Sequence, residues 1–183
     1  PPGYPFYIWV AQICVRIFSG FETYPLLAQL NVLIGTGAAC MAGHVCAEFL
    51  AREKRPMLLT MASWLPAVTM LVVGTSLGLW SASTLVEVYA MNALLCASFL
   101  AVMCVPARDG QTPRLALGGV LLGLMASHHL PSIAFGLLWV LRVWESRAEP
   151  NARRWTIVGA GAGLLLPFAL YGSLILRQRG MYE

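Results

Sequence analysis

Residues Arg114 to Trp144 read RLALGGVLLGLMASHHLPSIAFGLLWVLRVW, and how this stretch folds decides the topology of the chain. Two apolar runs, 114–128 and 131–144, flank the sequence Ser127-His128-His129-Leu130-Pro131. Each run has about 15 residues and reaches only about 22 Å as a helix, against a hydrocarbon core of about 30 Å. They can form one long helix kinked at Pro131, or a hairpin of two short spans.

Outward from this stretch lie four longer apolar runs, at 24–50, 57–80, 84–105 and 155–176. The distribution of basic residues chooses between kink and hairpin. With a hairpin, one face of the bilayer receives Arg52, Lys54, Arg55, Arg108, Arg114, Arg142, Arg147, Arg153 and Arg154, nine of the twelve basic residues. The other face receives Arg16, Arg177 and Arg179. A single kinked helix moves four arginines across and erases the bias. The hairpin is therefore expected, with the 127–131 turn on the non-cytoplasmic side. Its shortness implies a thinned bilayer, or a turn buried in protein beside a water-filled cavity.

Composition agrees with a membrane protein. Hydrophobic residues make up 58% of the 183, and charged residues only 11%. A soluble domain carries about 25% charged residues. The expected fold is all-α, a polytopic transmembrane helix bundle forming one partial membrane domain over 1–183. The net charge of +4 sits in short loops between spans, which argues against nucleic acid as a partner. Cys14, Cys40, Cys46, Cys96 and Cys104 show no metal-ligand spacing, and four of them lie in apolar runs as small hydrophobes. No cofactor is implied, and dependence on a divalent metal stays open. The opening Pro1 and the ending just past a span suggest an internal piece of a larger protein.

Residues 5–19 are too short to span. Gln12, Arg16 and Ser19 share one helical face opposite a set of aromatic and aliphatic residues, the pattern of an amphipathic helix in the membrane interface. Glycines recur as GxxxG at Gly74/Gly78, Gly119/Gly123 and Gly159/Gly163, spaced for close helix packing. The run Gly159-Ala160-Gly161-Ala162-Gly163 lacks the preceding strand of a dinucleotide loop, so it reads as span packing.

Three places carry candidate chemistry, and the hairpin topology puts all three on the non-cytoplasmic side. Glu87 lies at the edge of an apolar run, where a carboxylate is expensive unless it faces a cavity, a substrate or a partner. Thr84-Leu85-Val86-Glu87 is also a capping box, so Glu87 has a compatible structural reading. Tyr89 and Asn92 follow on the same helix, as pocket residues or as an interfacial aromatic and an interhelical donor. His128 and His129 are adjacent, so their side chains diverge on a helix and suit phosphate or headgroup binding better than paired metal ligation. His44 and Glu48 are a structural pair or snorkel at the end of the first span. Pro1-Pro2-Gly3-Tyr4-Pro5 is a rigid turn leading straight into the interfacial helix.

These segments together resemble a DUF-type family of polytopic membrane proteins similar to protein O-mannosyltransferases. That family includes the animal enzyme acting on plexin-type domains. Pro1-Pro2-Gly3-Tyr4-Pro5-Phe6-Tyr7 resembles the family's HPPGYPLY motif. Val86 to Leu94 looks like its AEVYALNAL segment, and Gly123 to Leu130 like its GLSLGNHL segment. Order and spacing agree across about 1–145. At the third segment Ser127-His128 stands where the family has Gly-Asn, so His129 is the matched histidine and His128 is extra.

The resemblance implies a C-type (GT-C) glycosyltransferase in a bacterial inner membrane or the endoplasmic reticulum membrane. Such an enzyme moves mannose or another hexose from a polyprenyl- or dolichyl-phosphate donor to a protein or glycan hydroxyl. It implies a histidine before Pro1, and a principal catalytic acid upstream of it. Pro1, Pro2, Tyr4, Tyr89, Asn92 and His129 are then the expected donor-site positions, with Glu87 as a candidate catalytic carboxylate, and His128 is a further donor-site candidate from its place beside His129, its role left open by the resemblance. A lipid-linked sugar transporter or flippase, or a non-catalytic scaffold with Glu87 as a cap alone, would use the same bundle. Inverted repeats would mark the transporter, and none is visible.

Overall fold

The computed structural model describes residues 4–52, 64–76, 89–104, 112–128 and 130–179. Among these there are helices and turns and no strand. The described residues form seven α-helices, labelled here in chain order: α1 Pro5–Ile17, α2 Thr23–Leu50, α3 Leu65–Thr75, α4 Tyr89–Cys104, α5 Thr112–His128, α6 Gly136–Glu145 and α7 Ala152–Arg179. Short 3-10 helices, Leu130–Phe135 and Ser146–Ala148, flank α6. The chain gathers into two compact units. One takes Pro1–Val10 with Pro106–Glu183, and the other takes Ala11–Val105.

In the Ala11–Val105 unit, α2 is the central element. Its buried residues Asn31, Ile34, Gly35, Ala38, Ala39 and Gly43 recur at helical spacing and make one stripe. Small residues in that stripe let α3 approach closely. A Cβ on Gly74 would meet the Ala39 side chain at 3.5 Å, and one on Gly43 would meet the Pro66 carbonyl at 3.1 Å. Those two contacts run in opposite chain directions, so α2 and α3 are antiparallel. α4 buries Met91, Leu95, Phe99 and Met103, one residue every fourth position, and its Leu94 approaches Gly37 of α2. Hydroxyls are satisfied within their own helices. Thr36, Thr69 and Thr75 donate to carbonyls four residues back at 2.8, 2.9 and 2.7 Å. Glu48 pairs with Arg52 at 3.6 Å, and His44 is exposed.

In the other unit, the 114–144 stretch forms the hairpin and not the kinked helix. Trp139 Nε1 of α6 donates to the Leu115 carbonyl of α5 at 2.8 Å. Gly136 lies against Leu122, 3.5 Å from where its Cβ would be. As position rises on α6 its contact falls on α5, so the two run antiparallel. Pro131 has no N–H to give a continuing helix. The six residues Leu130–Phe135 wind as a 3-10 turn, and α6 keeps ten residues.

α5 and α7 run parallel through their glycines. A Cβ on Gly119 would come within 2.6 Å of Gly159 Cα, and one on Gly123 within 2.5 Å of the Gly163 carbonyl oxygen. The two GxxxG motifs thus face each other directly, and the run from Gly159 to Gly163 is helical packing surface. Pro167 lies inside α7, so the Gly163 carbonyl cannot receive the usual bond from a residue four positions on. That oxygen instead faces the Cα of Gly123, a position suited to a weak C–H···O contact.

Two helices among the described residues, α2 and the Ala152–Ser173 part of α7, are long and apolar enough to cross a membrane. Of the expected spans, 114–128 corresponds to α5 and 131–144 to the 3-10 turn with α6, while α3 and α4 are the described parts of 57–80 and 84–105, whose residues 57–63, 77–80, 84–88 and 105 lie outside the described residues. α6, with ten residues, extends only about 15 Å.

Candidate functional site

The site is built where α5 ends. Pro5 starts α1 as its first helical residue, where the missing N–H costs nothing, and its ring is fully buried. That fixes Tyr4 just outside the helix, with its carbonyl accepting from Ile8 N–H at 3.0 Å. The Tyr4 ring lies against the His128 imidazole, with centroids 5.2 Å apart and planes tilted by 56°. This is the range of favourable aromatic contacts. His128 is the last residue of α5 and only 2% exposed.

A second clasp reaches the same helix end from α7. Tyr171 Oη donates to the Ser127 carbonyl at 3.3 Å. The Ser127 hydroxyl donates to the Leu124 carbonyl at 2.7 Å. The last carbonyls of an α-helix have no intrahelical partner, and Tyr171 supplies a donor to one of them. The end of α5 is therefore held from two sides, by the Tyr4 loop and by α7.

Beside this end, between α5, α6 and α7, runs a groove of about 350 Å³ lined by Gly123, Ala126, Ile133, Gly163, Pro167 and Phe168 among others. Every one of these side chains is apolar or absent, so the groove suits hydrocarbon and offers no charge of its own.

The structure brings together two of the sequence-predicted residues, Tyr4 and His128. Burial makes His128 a wall of the site, with half-buried Tyr4 the more accessible of the two. Tyr89 and Asn92 belong to the other unit, on the first turn of α4, with Tyr89 52% exposed and Asn92 partly buried. Pro1, Pro2, Glu87 and His129 lie outside the described residues. Among the described residues, no three histidine, cysteine or acidic side chains converge as a metal site would require.

Sequence reasoning passed over Tyr171 and Trp139. Both are aromatic residues with a polar tip set inside apolar helices. The usable signal was that a buried indole N–H or phenol O–H has to find an acceptor.

Comparison with known proteins bears on residues 1–142. They match the family described as Protein O-mannosyl-transferase TMEM260 N-terminal domain. No curated protein and no solved structure matches the chain.

Proposed function

The chain belongs to the family of the protein O-mannosyl-transferase TMEM260 N-terminal domain, and on that premise we propose that it serves a multi-pass, C-type membrane glycosyltransferase. The enzyme transfers mannose from a polyprenyl-phosphate donor to a protein hydroxyl on the non-cytoplasmic face. The family name itself carries sugar transfer and a protein acceptor. The donor, the face and the topology are our reading.

One observation carries that reading furthest. The contact between Tyr4 and His128 joins the Pro-Pro-Gly-Tyr-Pro segment to the Ser-His-His segment, which are far apart in sequence. The parallel α5–α7 pair supports the topology, because spans four and six of the hairpin scheme must run in the same direction. The apolar groove beside the site supports a lipid-linked donor, since its size lies in the range of small-molecule sites, about 300–1,000 Å³.

In the reaction the acceptor oxygen bonds to the sugar's anomeric carbon as the bond from that carbon to the phosphate oxygen breaks. The acceptor proton passes to a carboxylate, and the lipid phosphate leaves with the bonding pair. Fixed hydrogen-bond donors must hold the developing phosphate charge. Tyr4, His128, His129, Pro1 and Pro2 are proposed donor-side positions. Glu87, Tyr89 and Asn92 are further positions proposed from the sequence resemblance, with Glu87 as a carboxylate that orients or polarises a reacting group.

The test is Glu87→Gln in the full-length protein, assayed with a polyprenyl-phosphate mannose donor beside a thermal-unfolding measurement. Gln keeps the size and the capping-box geometry while removing the charge. A fall in turnover of about a hundredfold or more with little change in unfolding temperature is expected. Near-parental turnover would make Glu87 a cap only, and no transfer by the parent would defeat the donor assignment.

A further inference from the structure

The turn between α6 and α7 carries features that the transfer reaction does not use. Between Arg142 and Trp155 lie four arginines and two glutamates, a net charge of +2. Arg142 is already engaged by Glu145, at 2.6 Å. Arg147, Arg153 and Arg154 are exposed. One of these three stacks on a tryptophan and a second lies within cation–π range of another. The Arg147 guanidinium lies 4.0 Å from the centre of the Trp144 ring, and that of Arg154 lies 5.8 Å from Trp155. Stacking occupies the face of a guanidinium and leaves its edge of N–H donors able to fork onto phosphate oxygens.

The backbone holds this arrangement in a tight turn. Ser146–Ala148 is a 3-10 helix, Glu149 N–H bonds to the Ser146 carbonyl at 2.9 Å, and Asn151 takes a left-handed conformation at φ 64° before α7 begins. Asparagine tolerates that region because its short polar side chain can bond locally.

Away from the turn, both helices expose hydrocarbon. On α6, Leu137, Val140, Leu141 and Trp144 form one stripe at helical spacing, each more than half exposed. On α7, Ile157 and Val158 lie one turn beyond Arg154, and Leu164, Leu165 and Phe168 are exposed further along. The surface therefore changes from cationic and tryptophan-edged to apolar over about one helical turn on both helices. An amphiphile has the same change, with an anionic head above a hydrocarbon tail.

We propose that the α6–α7 turn binds the headgroup of an anionic phospholipid, with Arg147, Arg153 and Arg154 holding the phosphate and the α6 stripe flanking an acyl chain. The proposal rests on the membrane reading above but not on the sugar-transfer chemistry. It gives the short α6 a role. A ten-residue helix cannot cross the bilayer alone, and a bound lipid would fix its cationic end at the headgroup level.

The test uses the full chain purified in a mild non-ionic detergent and offered equal amounts of phosphatidylglycerol and phosphatidylcholine with identical acyl chains. Native mass spectrometry counts the lipid adducts. Phosphatidylglycerol adducts should dominate, and the preference should fall by about fivefold for each arginine replaced in Arg147→Gln, Arg153→Gln and Arg154→Gln. Phosphatidylcholine adducts and unfolding temperature should stay at parental values, showing that the variants fold. Equal adducts of both lipids on the parent, or an undiminished preference in the triple variant, would overturn the proposal. So would inorganic phosphate alone raising the unfolding temperature as far as phosphatidylglycerol does, since that marks a free-phosphate site. Alkaline carbonate extraction of the expressed chain tests the membrane reading separately, and release from membranes would sink that premise whatever the lipid preference.

Discussion

The indole Nε1 of Trp139 donates to the carbonyl oxygen of Leu115, 2.8 Å away and 24 residues earlier in the chain. The same oxygen lies 2.6 Å from where a Cβ on Gly159 would stand. One carbonyl of α5 is therefore the meeting point of three helices, bonded by α6 and closely approached by α7.

Gly159→Ala should accordingly be costly. Its Cβ would meet the Leu115 oxygen and, at 2.9 Å, the Cα of Ala116, both backbone atoms that cannot swing aside. Overpacking of this kind costs about 1–3 kcal/mol. Gly161→Ala is the matched comparison, because nothing lies within 4 Å of its Cβ position. There alanine should be neutral, or stabilise the helix by up to about 1 kcal/mol through its better propensity. Thermal unfolding of both variants in detergent measures the contrast. Equal effects would mean that α5 and α7 do not pack on these glycines.

Trp139→Phe keeps most of the ring and deletes the donor. Leu115 O keeps its place in the α5 ladder, so the loss should be about 1 kcal/mol and not the larger cost of an orphaned buried group. Combined with Gly159→Ala, the effects should not add, because both act on one carbonyl. A double-mutant cycle should show a coupling of about 0.5 kcal/mol or more. Strict additivity would place the two contacts in separate parts of the structure.

Tyr4 and His128 make a cycle of the same kind. Either residue replaced by alanine should remove the ring contact, worth about 0.5–1.5 kcal/mol, and the second replacement should add little of that term. The comparison of interest is His128→Asn, which installs the residue the resembled family has at that place. Sugar transfer should survive it better than it survives Tyr4→Ala, because His128 is a buried wall and Tyr4 is nearer the surface. Transfer rates that fall alike in both variants would give His128 a direct part in the chemistry.

The features legible from sequence were those written in spacing and charge. The GxxxG motifs marked surfaces for close helix packing, since small residues four apart are what close approach requires, but only the structure shows that the motifs at 119/123 and 159/163 face each other. The basic bias favoured a hairpin at 127–131, and the backbone turns there. Other features depend on which distant atoms a side chain meets. Nothing local pairs Trp139 with Leu115 or Tyr171 with Ser127, because each is a tip seeking an acceptor on another helix. The extent of α6 was also hidden. The run from Ile133 to Leu141 is apolar throughout, yet its first residues belong to a 3-10 turn around a proline that has no N–H. Of the site, the Tyr4–His128 contact connects two segments that sequence pattern had singled out separately.

The topology itself has a direct test. If α5 and α7 both leave the cytoplasmic face and α6 returns to it, position 150 is cytoplasmic and position 130 is not. Single cysteines at Pro150 and Leu130, both exposed, would be placed in a chain whose five native cysteines are replaced. A membrane-impermeant maleimide applied to intact cells or sealed right-side-out vesicles should label position 130 where the non-cytoplasmic face is outside. It should reach position 150 only after permeabilisation. The charge bias is statistical, whereas the antiparallel α5–α6 contacts and the parallel glycine seam are geometric, and in a membrane-spanning bundle both fit this order of faces. Labelling of position 150 from outside, with position 130 protected, would invert the orientation and with it the assignment of the Tyr4–His128 end to the side where the donor is presented. Labelling of both from outside would mean that the α5–α6 hairpin does not enter the bilayer, and the multi-pass reading would fall.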